Sequence, residues 1–260
     1  MEPSENEENY NTGHARRGVA VIINQVHFNG KPKRDGSEKD RDSIGSVLHK
    51  LGFDVRVFDD PKRKEVFAAL RAVADEDHTQ NDCLVVVVMT HGKEKTLYAA
   101  DNAYEVDKLW EPFVGSACPT LVGKPKLFFI QACRGEKFDQ GVKRAKVLSD
   151  TVDASSSSEP LHYVIPTMAD LLVMYSTYDG HYSWRNPING SWFIQALSSE
   201  LESNAHRKEL LQMLTTVSRV VAFQYQSNVP NNAKQDAKKQ MPCFVSSLTK
   251  ALYFPAKAYK

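Results

Sequence analysis

Lys126-Leu-Phe-Phe-Ile-Gln131 is an apolar run without alternation, carrying two adjacent phenylalanines. A strand of this kind needs protein on both faces, which places it in a parallel sheet covered by helices. Leu84-Val-Val-Val-Val-Met89 and Gly18-Val-Ala-Val-Ile-Ile-Asn24 have the same character. Strands are also expected over 53–58, 170–175 and 243–254, and a hairpin-like piece over 96–104. Helices are expected between them. Ile44, Val47, Leu48 and Leu51 share one face over 40–51, and Gly52 stops that helix. Pro61 opens a second to about residue 77, with Val66, Phe67, Leu70 and Val73 inward. Further helices are expected near 106–113, 190–201 and 207–223. The alternation predicts an α/β fold: one domain with a mostly parallel six-stranded sheet flanked by helices, in three α/β/α layers.

With 260 residues, the chain can bury a large core in one domain. A net charge of +1 provides no global field for nucleic acid or an anionic membrane, so neither is an expected partner. The longest apolar run, 83–89, is too short to span a bilayer, and residues 1–11 are polar and acidic rather than a secretion signal. The four cysteines, 83, 118, 133 and 243, show neither paired nor zinc-ligand spacing. A cytoplasmic protein without metal or organic cofactor is the expectation. Residues 1–15 read as a short disordered arm. Residues 137–166, with Lys143-Arg-Ala-Lys146 and four serines at 155–158, read as an exposed linker.

Two reactive side chains stand just past the ends of buried strands: His91, in Thr90-His-Gly92, and Cys133, in Gln131-Ala-Cys-Arg-Gly135. In an open α/β sheet, that edge is where ligands bind. If the two strands are neighbours, the imidazole can stabilise a thiolate and later protonate a leaving amine. Gly92 lets a substrate carbonyl approach the main chain, where the N–H groups of Gly92 and Cys133 would form an oxyanion hole. Taken singly, each side chain is more simply a structural residue.

The pentapeptide changes that balance, because it resembles the signature of the caspases. The segment Tyr182-Ser-Trp-Arg-Asn186 resembles their substrate-binding loop, and the likeness runs from about residue 17 to 254. The resemblance implies a cysteine endopeptidase that cuts after aspartate, with His91, Cys133 and Gly92 as its catalytic residues. Arg34, Gln131 and Arg185 would form the first pocket, where a guanidinium fork suits a carboxylate. Tyr182, Ser183 and Trp184 would line the peptide groove, and Asn186 and Trp192 would contact the fourth residue before the cut.

Asp150-Thr-Val-Asp153 matches the Asp-x-x-Asp pattern that executioner caspases cleave. The resemblance therefore also implies a zymogen activated by cleavage after Asp153, giving a large subunit (16–153) and a small one (154–260). With the short arm, this suggests an effector of apoptosis. Expected partners are proteins with exposed aspartate-containing loops, an upstream initiator caspase, inhibitor-of-apoptosis proteins, and a second copy paired through the last strand. The alternative is a caspase-like regulator that binds other caspases without cutting. Such proteins typically lose the cysteine, the histidine or the pocket arginines, and all are present here.

Overall fold

The computed structural model describes residues 8–141 and 166–257. In chain order, β1 (Val19–Asn24), α1 (Ser37–Lys50), β2 (Asp54–Asp59), α2 (Arg63–Ala74) and β3 (Leu84–Met89) come first. Next is a small antiparallel sheet made of β4 (Gly92–Lys93), β5 (Thr96–Tyr98) and β6 (Ala103–Glu105). Then come β7 (Lys126–Gln131), β8 (Leu171–Tyr175), a two-residue ladder of β9 (Arg185–Asn186) and β10 (Gly190–Ser191), α3 (Trp192–Asn204), α4 (Leu210–Gln224) and β11 (Cys243–Ser246).

The main sheet has six strands in the order β11-β8-β7-β3-β1-β2, all parallel except β11, which runs antiparallel to β8. Every residue of β1, β3 and β7 is buried, as their unbroken apolar character requires. The pleat sends alternate residues to opposite cores. Val85, Val87 and Met89 join the apolar residues of α1, α3 and α4, whereas Leu84, Val86 and Val88 join those of α2 and the 106–121 segment. Each such side chain, fully buried, contributes about 1.5–3 kcal/mol, so the sheet centre is the most expensive place to disturb.

Three expectations differ from the structure. The helix expected near 106–113 is instead two 3-10 turns, Val106–Leu109 and Glu111–Phe113. Pro112 has no N–H for an α-helical ladder, and Gly115 and Pro119 interrupt the stretch beyond it. The closing strand spans only Cys243–Ser246. Ser247 then donates its N–H to the Leu171 carbonyl at 2.8 Å, and the chain leaves the sheet to bury Leu252 and Phe254. The N-terminal arm, expected to be disordered, is docked from residue 8 onward. The Tyr10 N–H donates to the Ala251 carbonyl at 3.0 Å, and its hydroxyl donates to Asp170 Oδ1 at 2.6 Å. One buried aromatic in a polar run leaves no periodicity to detect.

Tyr10→Phe removes the hydroxyl's bond to Asp170, which keeps Thr249 Oγ1 as its other partner, and the bond the hydroxyl accepts from the Thr249 N–H at 2.9 Å. The variant should unfold with about 1–2 kcal/mol less stability, measured by chemical denaturation. Wild-type stability would mean that the Tyr10 hydroxyl contributes nothing.

Candidate active site

The site is built by strand pairing. β3 and β7 run parallel in register, Met89 opposite Gln131, so Thr90-His91-Gly92 and Ala132-Cys133 leave the sheet side by side. The Thr90 N–H donates to the Gln131 carbonyl at 3.0 Å, carrying the pairing one residue past the strands. Gly92 is packed so closely that a Cβ there would lie 2.6 Å from the Cys133 carbonyl oxygen.

His91 sits against Phe28, with ring centroids 4.7 Å apart, and its Nε2 lies 2.8 Å from the Pro32 carbonyl oxygen. A carbonyl can only accept, so Nε2 carries the hydrogen and a neutral ring keeps Nδ1 free to take a proton. Burial pushes the imidazole below its ordinary value; the Pro32 bond opposes this, and Arg34 and Arg185 add to it. Cys133 is half-buried, and its Sγ accepts the Ser183 N–H at 3.4 Å. Burial pushes the thiol up, with the Ser183 bond and both guanidiniums working against it. Both shifts favour the uncharged forms, thiol and imidazole.

Beside them lies a cationic pocket. Arg34 is 1% exposed, and its Nη1 donates to the Gln25 carbonyl at 2.8 Å and to Ser37 Oγ at 2.6 Å. Its Nη2 is buried with no protein partner among the described residues. Burial, then the neighbouring Arg185, push this guanidinium down to about 9. Arg185 donates Nε–H to the Asp35 carbonyl at 2.8 Å. Gln131 donates from Nε2 to Ser183 Oγ at 2.9 Å, and its buried Oε1 has no partner among the described residues. The Ser183 hydroxyl that accepts from Gln131 donates in turn to Ser176 Oγ at 2.9 Å.

An aromatic wall extends from this pocket. The rings of Tyr182 and Trp184 are 5.1 Å apart, Trp184 stacks on Trp192 at 5.8 Å, and Trp192 stacks on Tyr225 at 5.4 Å. Asn186 is at the edge of this wall, and its Oδ1 accepts the N–H groups of Ile188 and Asn189 at 2.8 and 3.1 Å, holding the hairpin turn. The structure therefore gathers Arg34, His91, Gly92, Gln131, Cys133, Tyr182, Ser183, Trp184, Arg185, Asn186 and Trp192 around one rim. Asp153 lies outside the described residues.

Several participants carry no sequence signal. The Pro32 carbonyl holds His91, and main-chain acceptors look alike in any sequence. Phe138 lies 5.4 and 5.8 Å from the rings of Tyr182 and Trp184, although residues 137–166 read as linker. Its segment is tied down on both sides: Tyr182 N–H donates to the Lys137 carbonyl and Lys239 N–H to that of Asp139, at 2.9 and 3.0 Å. Gln240 accepts the Trp184 N–H at 2.6 Å and donates to the Ser176 carbonyl at 2.7 Å. Among the described residues no His, Cys, Asp and Glu cluster could hold a metal ion, and no helix is long and apolar enough to cross a membrane.

A sheet that presents histidine and cysteine on adjoining strand ends, beside one buried and one half-buried arginine, has the layout of a thiol-dependent peptidase, and known proteins share it throughout. The family model for the caspase domain matches residues 17–253. Caspase-1 of Spodoptera frugiperda is 42% identical over 250 residues, covering 95% of this chain and 82% of that protein. Caspase-3 of Bos taurus is 39% identical over 251 residues, covering 95% and 88%. The crystal structure of the Spodoptera frugiperda Caspase-1 matches with a TM-score of 0.91 at 41% identity, over 99% of both chains. The chain belongs to the caspase family. It is accordingly a cysteine-type endopeptidase.

Because burial raises the Cys133 thiol and lowers the His91 imidazole, alkylation of Cys133 by iodoacetamide should accelerate steadily from pH 7 into the alkaline range. Mass spectrometry of the Cys133 peptide follows it. A rate already level below pH 7 would instead reveal a preformed thiolate–imidazolium pair.

Proposed function

We propose that the chain is an effector-type caspase that cuts proteins after aspartate, preferring Asp-x-x-Asp sites, and serves as an executioner of apoptosis in the cytoplasm. The observation that carries this reading is the buried Arg34 guanidinium, one nitrogen of which has no protein partner among the described residues, beside Arg185 and next to Cys133. A buried cation of this kind favours a small anion that can accept two parallel hydrogen bonds, which is what an aspartate side chain offers.

The chemistry follows from the arrangement of the residues. As a substrate carbonyl approaches Cys133, the thiol proton passes to His91 Nδ1 and sulfur bonds to the carbonyl carbon. The developing oxyanion is held by the main-chain N–H groups of Gly92 and Cys133. The Pro32 carbonyl, accepting from Nε2, steadies the imidazolium. Collapse of the adduct breaks the C–N bond, and Nδ1–H protonates the departing amine. His91 then takes a proton from water, which attacks the thioester and returns the sulfur as a thiol. Gln131, Ser183 and the aromatic wall of Tyr182, Trp184 and Trp192 hold the peptide, and Asn186 stands at the far end of that wall.

In this reading the chain is a zymogen opened by an initiator caspase after Asp153, separating a large (16–153) from a small (154–260) subunit. β11 supports pairing with a second copy. It is bonded to β8 along one side and stands at the sheet edge, with Val245 69% exposed. Inhibitor-of-apoptosis proteins are the expected regulators.

After activation by an added caspase that is then removed, the chain should cleave a reporter peptide ending in aspartate, with no turnover by Cys133→Ala and a fall in kcat/KM of about 100-fold or more for Arg34→Ala. Cleavage of the same peptide with lysine in place of the aspartate would refute the specificity. For activation, incubation with an active caspase should split the wild-type chain and leave Asp153→Ala whole. An Asp153→Ala chain still cut between residues 147 and 158 would exclude that position.

A further inference from the structure

Asp40 stands in the first turn of α1 beside Glu38. An acidic residue there ordinarily faces water and complements the helix dipole. Asp40 is instead 1% exposed, and its Oδ1 accepts the main-chain N–H of Ser191 at 2.8 Å. That bond joins segments 151 residues apart in the chain.

Ser191 occupies a junction. In the β9–β10 ladder it is the register partner of Arg185. It is also the N-cap of α3, its side chain accepting from the Ile194 N–H, and α3 begins at Trp192. A single carboxylate therefore holds the main-chain unit from which both the pocket arginine and the wall tryptophan are placed. The fit is close. Gly190 has φ of +92°, and a Cβ there would overlap Asp40 Oδ1. On the same side, a Cβ on Gly36 would lie 2.6 Å from the Pro187 carbonyl oxygen. Among the described residues no cation bonds to Asp40, whose Oδ2 is buried without a partner. Arg34 and Arg185 are the guanidiniums close enough to act on its charge.

We propose that Asp40 is a positioning residue: by gripping the Ser191 N–H it sets the Arg185 hairpin beside Arg34, and so governs affinity for the substrate's aspartate rather than the chemistry at Cys133. The inference rests on the reading of Arg34 and Arg185 as the carboxylate pocket. It adds the part that aligns the two guanidiniums, which come from distant parts of the chain.

Steady-state kinetics with the aspartate-terminated reporter, normalised by active-site titration, provide the test. Asp40→Ala should raise KM by about tenfold or more while kcat stays within about threefold, equivalent to about 1.4 kcal/mol of lost binding. Asp40→Asn keeps an oxygen to accept from Ser191 and should return KM to within about threefold of wild type. Asp40→Ser, whose shorter side chain draws the acceptor away from the Ser191 N–H, should reproduce the Asp40→Ala pattern, and carries the test if Asp40→Ala does not fold. A wild-type KM in Asp40→Ala, a loss confined to kcat, or an Asp40→Asn enzyme as weak as Asp40→Ala would each overturn the proposal. Hydrogen exchange at the Ser191 amide, read without substrate, should be faster in Asp40→Ala than in wild type; unchanged exchange overturns the anchor. If the wild-type chain, once cleaved by an active caspase, still leaves the reporter uncut, the specificity reading fails, and the exchange measurement still decides the anchor.

Discussion

The in-register pairing of Leu84–Met89 with Lys126–Gln131 is the constraint on which the rest depends. Because a one-residue slip inverts every side chain of a strand, a shift here would exchange the two cores as well as separate His91 from Cys133. Strands buried on both faces resist such a slip twice over, once from each helical layer. The geometry of a cysteine–histidine pair, which tolerates little displacement, is thereby tied to the most heavily packed part of the molecule.

Charge is distributed by the opposite logic. The sheet centre contains almost nothing that titrates, whereas its C-terminal rim collects two guanidiniums, a carboxylate, an imidazole and a thiol with few direct ion pairs among them. Arg34 is held by neutral acceptors, Gln25 and Ser37, and Arg185 by the Asp35 main chain. Neutral partners satisfy geometry while leaving the positive charge uncompensated, as a site for an incoming anion requires. Arg17, at the other end of the sheet, shows the contrast: it is equally buried but bonded to Asp82 at 2.9 Å, and there the charge is already matched.

Much of this is legible in the sequence, for identifiable reasons. Strands covered on both faces announce themselves by unbroken apolar runs, so β1, β3 and β7 can be read nearly to the residue. The two residues at their ends stand out because their neighbours carry a family signature. The reading weakens where one composition serves two conformations. Residues 243–254 are largely apolar, first as an edge strand and then as a tail inserted under the helices, and periodicity does not separate the two. Tyr10, Asp40 and Phe138 are not visible as site or core residues because each is defined by a partner distant in the chain: Asp170 and Ala251, Ser191, and Tyr182 with Trp184. A polar residue in a helix's first turn looks the same whether it faces water or a buried amide.

The docked N-terminal arm has a mechanical consequence. Tyr10 bonds to Asp170 and Ala251, β7 pairs with β8 along its length, and Lys257 reaches Asp82 at 2.6 Å. Residues before 142 and after 165 are therefore laced together at the N-terminal edge of the sheet and through its middle. Severing the backbone anywhere between them would divide the polypeptide without dividing the body. The two pieces would remain one body, joined by the paired strands and the shared core.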